Sequence, residues 1–153
     1  MEMLTNRIDI AGKITGGITL SHTVFEERFF SSFMEIKRLS GSTDIIPITI
    51  PEKIIIHCGL SDGAFVRMDG QLRSYNYYLK VNNLDENRRS KLVVTAFCKS
   101  VFPFDGYIND VQLDGFVCKN PVYRSTPFGK QITDILVAVN RNYGKSDYIP
   151  IIF

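Results

Sequence analysis

Met34-Glu35-Ile36-Lys37-Arg38-Leu39-Ser40-Gly41-Ser42-Thr43-Asp44-Ile45-Ile46-Pro47-Ile48-Thr49-Ile50 reads as a strand, a turn and a second strand. Met34 and Ile36 alternate with Phe33, Glu35 and Lys37, the period-2 pattern of a strand with one dry face. Ser40 to Asp44 is turn chemistry, because Gly supplies positive φ and Ser, Thr and Asp bond to nearby backbone. Pro47 has no N–H to give to a ladder, which predicts an edge or bulged position in the second strand. The pattern returns 103 residues later, in Val137-Ala138-Val139-Asn140-Arg141 and Lys145-Ser146-Asp147-Tyr148-Ile149-Pro150-Ile151-Ile152-Phe153.

Extended outward, the match runs without a gap from Asn6–Ile50 onto Asn109–Phe153. Ten of the 45 positions are identical, among them Gly12/Gly115, Phe25/Phe128, Arg38/Arg141, Gly41/Gly144 and Asp44/Asp147. Average composition would give roughly three. Apolar positions correspond as well: Ile8/Val111, Ile10/Leu113, Met34/Val137 and Ile36/Val139. Such a spacing is a domain length, not a solenoid repeat. Residues 1–105 therefore read as one complete unit and 106–153 as the first part of a second. The second copy stops in mid-strand, so a longer protein is expected.

The rest of the unit is also strand-like. Ile8, Ile10 and Ile14 sit near one face of a first strand, with Gly12 as its expected bend or bulge. Ala64–Arg73 makes a fourth strand and Lys91–Phe97 a fifth. Glu52–Leu60 allows either a helical turn or, through Ile54-Ile55-Ile56, more strand. Five strands in about 100 residues, with interior glycines, predict an all-β fold that closes as a small barrel, since closure removes the unprotected edges. The connection from Ser74 to Ser90 is expected to be a long functional loop or a solvated hairpin tip.

Composition narrows the function. Apolar residues make up 44% and charged residues 22%, an ordinary globular balance. No run approaches the ~18 uncharged apolar residues of a membrane helix, and the start lacks a secretory signal, so a cytoplasmic protein without a membrane partner is expected. The net charge of +2 does not by itself point to a polyanion. Cys58, Cys98 and Cys118 contain no C-x-x-C pair and read as reduced thiols, and His22 and His57 form no ligand set. Neither a metal nor a cofactor is expected. No catalytic motif is present, and an enzyme is not expected.

Tyr123-Arg124-Ser125-Thr126-Pro127-Phe128-Gly129-Lys130, followed by Val137 to Arg141 and Lys145 to Phe153, resembles bacterial single-stranded DNA-binding proteins. Asp69-Gly70-Gln71-Leu72-Arg73-Ser74 resembles a second signature of that family. The resemblance implies a five-stranded OB-fold barrel, complete by about Val101, followed by the first three strands of a second OB-fold. It also implies sequence-tolerant binding of single-stranded DNA in replication, recombination or repair, in a nucleoid-associated protein. The sequence departs from the family at Phe25-Glu26-Glu27-Arg28, at Ile45, in having no tryptophan and in having no acidic carboxyl tip for replication or repair partners.

In such a barrel, aromatic faces stack on bases while cations track phosphates. The stacking candidates are Tyr75, Tyr77 and Tyr148. Phe29 and Phe33 are read as barrel filling ahead of stacking. The cationic candidates are Lys37, Arg38, Arg67, Arg73, Arg88, Arg89, Arg124, Arg141 and Lys145. Arg38 and Arg141 also fit a structural role, as ion pairs with Asp44 and Asp147. The expected assembly is a homo-oligomer, a dimer of tandem OB-folds, in which Asn109–Phe153 pairs with the same segment of another chain. The alternative arrangement sets its first strand beside that of the complete barrel. The rival function is an OB-fold protein-interaction or primosome-assembly module with little DNA binding.

Overall fold

Ile8, Ile10 and Ile14 point inward from β1 (Asn6–Val24) and fix which side of the first sheet is dry. The computed structural model describes residues 5–78 and 90–153. After β1 come β2 (Glu27–Lys37), β3 (Thr43–Pro51), α1 (Glu52–Cys58), β4 (Phe65–Tyr78) and β5 (Ser90–Pro103). They are followed by β6 (Ile108–Leu113), β7 (Phe116–Val117), β8 (Val122–Ser125), β9 (Gln131–Asn140) and β10 (Ser146–Ile152). The fold is all-β. Among the described residues no helix is long and apolar enough to cross a membrane.

The larger sheet has the order β2-β3-β5-β4-β1-β6, and β1 pairs with β2 as well as β4. That second pairing closes β1 to β5 into the five-stranded barrel of an OB-fold. The β3–β5 contact is parallel, at Ile48↔Ala96 and Thr49↔Phe97. Pro47 lies just beyond it, where no ladder donor is required, and its carbonyl accepts from the Thr95 hydroxyl at 3.3 Å.

The core consists of Ile8, Ile10 and Ile14 with Met34, Ile36, Ile48, Ile50, Val66, Met68, Ala96 and Cys98. Each fully buried aliphatic side chain contributes about 2 kcal/mol, against at most about 1 for an exposed ion pair, so this cluster holds the barrel. α1 packs Ile54 and Ile55 against it and leaves Ile56 exposed. Of the two readings of Glu52–Leu60, the helical one is observed, ending at Gly59 in the left-handed region.

Three expectations change. The irregularity placed at Gly12 lies instead between Thr15 and Thr19, where Gly16 and Gly17 take φ of +79° and +78°. Gly12 serves a close approach: a Cβ there would stand 2.2 Å from the Glu35 carbonyl oxygen. The loop expected from Ser74 is strand as far as Tyr78, while residues 79–89, with Arg88 and Arg89, lie outside the described set. Of the two arrangements for the second copy, the structure shows the one not preferred, with β6 beside β1 in the same sheet. β6 follows β5 after a short connection, so this pairing orders little additional chain.

The described chain divides into two compact units. One holds Asn6–Leu72 and Thr95–Gln112, which is the barrel with most of β6. The other joins Leu113–Phe153 to the described residues of Arg73–Val94, the far end of the β4–β5 hairpin. In this second unit β10, β9 and β7 form a sheet in that order, and β8 also pairs with β9. A Cβ on Gly115 would lie 2.4 Å from the Ala138 carbonyl oxygen. Those two positions are 103 residues beyond Gly12 and Glu35.

Candidate functional site

In the second unit, the tail of β4 meets the head of β10 through Ser74. Its hydroxyl accepts the backbone N–H of Tyr148 at 2.7 Å, and its own N–H donates to Asp147 at 2.8 Å. Asp147 also accepts two hydrogen bonds from Arg141, at 2.5 and 2.6 Å. The carboxylate is 1% exposed and fully engaged, which is the condition under which a buried charge is tolerated. The hydrogen bonds that Arg141 donates to Asp147 raise its pKa above the ordinary value, outweighing the effect of burial.

Period-2 alternation puts Arg73, Tyr75 and Tyr77 on the face of β4 opposite Ser74. Tyr75 and Tyr77 are exposed there. On β10, Asp147 and Ile149 are buried while Tyr148 is exposed. The three tyrosines singled out from the sequence thus occupy neighbouring strands of one unit. Arg73 is half-buried near Arg141 and Asp147. Burial first, then the Arg141 guanidinium, lowers its pKa, with Asp147 opposing, but an arginine stays charged throughout.

Of the other predicted cations, Arg38, Arg67 and Arg124 are held in ion pairs. In the second unit Arg124 pairs with Asp134 at 2.5 Å, whereas Lys145 is exposed and in no ion pair among the described residues. In the barrel unit Arg38 forms a two-bond pair with Asp44 at 2.6 and 2.7 Å. This is the ion pair anticipated for that position, and Arg141–Asp147 is its counterpart in the second unit. Arg67 pairs with Asp9 at 2.6 and 2.8 Å, and its guanidinium lies 5.5 Å from the Phe104 ring centre. Lys37 is exposed and in no ion pair among the described residues. Phe33 is exposed on β2, and Phe29 is half-buried, stacked on His22 with ring centres 5.0 Å apart.

Sequence reading missed the two hairpin tips. In the barrel unit β1 and β2 are joined by Phe25-Glu26, at φ +48° and +66°, with Val24 paired to Glu27. Positive φ at both central residues is the type I′ turn, which ordinarily takes Asn-Gly. In the second unit β8 and β9 are joined through Thr126-Pro127-Phe128-Gly129-Lys130. Phe25 is 98% exposed and Phe128 94%. Both were among the repeat identities, which was the available signal. Tyr143, at φ +74° in the loop enclosed by the Arg141–Asp147 pair, is also fully exposed.

Among the described residues no three His, Cys, Asp or Glu side chains are grouped to hold a metal ion. The arrangement offers flat aromatic faces and cations, the chemistry of a surface that binds planar, anionic ligands.

The N-terminal domain of the PriB protein from Thermoanaerobacter tencongensis, solved as a dimer, is 31% identical. The match covers 65% of this chain and 97% of that domain, with a TM-score of 0.53. The single-stranded DNA binding protein from Thermus aquaticus shares the fold over 96% of this chain and 72% of its own, at 18% identity and a TM-score of 0.69. Rim1, a mitochondrial single-stranded DNA binding protein from S. cerevisiae, matches over 68% of this chain and 99% of its own, at 16% identity and a TM-score of 0.50. No family model matches the chain, and neither does any curated protein sequence.

Proposed function

The chain belongs to the family of bacterial PriB and single-stranded DNA-binding proteins, and on that premise we propose that it binds single-stranded DNA with little sequence preference. The observation that carries this reading is the joint at Ser74. It sets Tyr75 and Tyr77 of β4 and Tyr148 of β10 as exposed rings on adjoining strands. Stacking on a tyrosine face contributes about 1–3 kcal/mol per base and accepts any base. Arg73, Lys145 and Arg141 in the same unit supply positive charge for the phosphates, as do Lys37, Arg38 and Arg67 in the barrel unit. Arg124 is assigned to the same role, with Arg88 and Arg89.

The organisation proposed is a tandem one, with residues 1–105 as a first OB-fold and 106–153 as the beginning of a second. Two shared contacts support it: Gly12 on Glu35 matches Gly115 on Ala138, and Arg38–Asp44 matches Arg141–Asp147. A cytoplasmic, nucleoid-associated role in replication, recombination or repair, without catalysis, follows from the binding reading. So does assembly of two such chains as a homo-oligomer.

The test uses the chain's own tyrosine emission, which no tryptophan masks. Titration with oligo-dT should quench it saturably. The affinity should fall linearly with salt on logarithmic axes, because bound phosphates release counterions. Replacing both Tyr77 and Tyr148 by Ala should weaken binding by at least tenfold. A flat titration at low salt would reject the proposal and favour a protein-interaction or primosome-assembly module.

A further inference from the structure

We infer that the β8–β9 tip is a base-stacking element, with Phe128 as the face and Lys130 as the phosphate contact, and that the matching β1–β2 tip is not. This rests on the single-stranded DNA reading and adds a contact outside the Ser74 joint.

The tip is rigid for local reasons. Thr126 N–H donates to the Lys130 carbonyl at 2.7 Å, Gly129 N–H to the Thr126 carbonyl at 2.9 Å, and Lys130 N–H to the Thr126 hydroxyl at 3.1 Å. Pro127 fixes φ ahead of the phenylalanine, and Gly129 takes the positive φ that closes the turn, +80°. These bonds hold the backbone with no help from the Phe128 ring, which is 94% exposed. A large apolar ring on a pre-ordered loop gains by covering its face, and little conformational freedom is lost when it does so.

Charge decides what covers it. The residues following Phe128 are Gly129 and Lys130, and Lys130 is exposed and in no ion pair among the described residues. Arg124 lies on the same hairpin, paired with Asp134. At the corresponding positions of the first copy stand Glu26 and Glu27. Glu27 is paired with Lys53 at 3.5 Å, and Arg28 is paired with Glu52. Phe25 is therefore an equally exposed ring in a field that repels phosphate, whereas the field at Phe128 attracts it.

The absence of tryptophan makes the test direct. Phe128→Trp and Phe25→Trp each introduce a single tryptophan, selectively excited beyond the tyrosine absorption, at a solvent-exposed tip of the full chain. Oligo-dT should quench and saturate the Phe128→Trp signal and leave the Phe25→Trp signal unchanged. Phe128→Ala should weaken binding about tenfold, and Phe25→Ala less than twofold. Lys130→Glu should reduce the slope of log affinity against log salt in magnitude by about one or more. Wild-type affinity in Phe128→Ala, with an unquenched Phe128→Trp, would overturn the inference and leave the binding proposal standing. A wild-type chain that fails to bind oligo-dT would overturn both.

Discussion

Asp147 receives two hydrogen bonds from Arg141 and one from the Ser74 N–H, whereas Asp44, its counterpart 103 residues earlier, receives two from Arg38. The Arg38 side chain is 62% exposed and that of Arg141 26%. One pair of residue types thus closes the same loop in both copies but stands in two dielectric environments, and the difference sets what each pair contributes.

Asp147→Ala should destabilise the second unit by about 3 kcal/mol, because it strands the Arg141 guanidinium, only 26% exposed, and the Ser74 N–H. Asp44→Ala, which breaks a solvent-screened pair, should have a far smaller effect. Urea unfolding of the two variants checks this, and equal losses would contradict the assigned environments.

Replacing Phe25-Glu26 with Asn-Gly should stabilise the barrel by about 1 kcal/mol. Both residues now hold positive φ, at +48° and +66°, in a turn whose preferred pair is Asn-Gly. A rise in Tm of several degrees is the expected reading, and a fall would mean that the Phe25 ring supports the fold.

The three cysteines should separate in a thiol titration. Cys98 lies in the core, where burial pushes its thiol up to about 12, while Cys58 and Cys118 are exposed. Ellman's reagent should modify the latter two in the native protein and reach Cys98 only at the rate of unfolding.

Acid should weaken the barrel through Asp9. Hydrogen bonds from Arg67 hold its carboxyl below the ordinary 3.8, against the opposing effect of burial. A depressed carboxylate stabilises the fold above its unfolded pKa, and that stabilisation disappears as pH falls through the folded value. Asp9→Asn should therefore be less stable than wild type at pH 7, and the gap should narrow progressively below about pH 4. A gap independent of pH would assign the loss to packing instead.

The strands were legible because one face of each is dry: Met34 and Ile36 lie in the core, and Phe33 and Lys37 are exposed. Gly12 was legible as a special position but its job was not. The approach of the Glu35 carbonyl comes from a strand more than 20 residues away, a relation that period-2 patterning does not encode. Tyr75 and Tyr77 were read as loop residues because no apolar alternation continues past Leu72. They are strand because β4 runs on to Tyr78 and Ser74 is bonded to β10. The ion pair of Arg38 with Asp44 was foreseen from repetition, whereas that of Arg67 with Asp9 joins the neighbouring strands β1 and β4, far apart in the chain, and had no local sign. The tips escaped for another reason: at Phe25 an exposed phenylalanine in a type I′ turn contradicts local preference, and only the recurrence of the ring at Phe128 marked either tip.

β6 beside β1 has a kinetic consequence. The connection from β5 is residues 104–107, so β6 competes for that position at the effective concentration of a short tether, of millimolar order. A strand arriving from another molecule at micromolar concentration is outnumbered about a thousandfold before any difference in sequence is counted. The flank of β1 therefore behaves as an occupied port, insensitive to dilution.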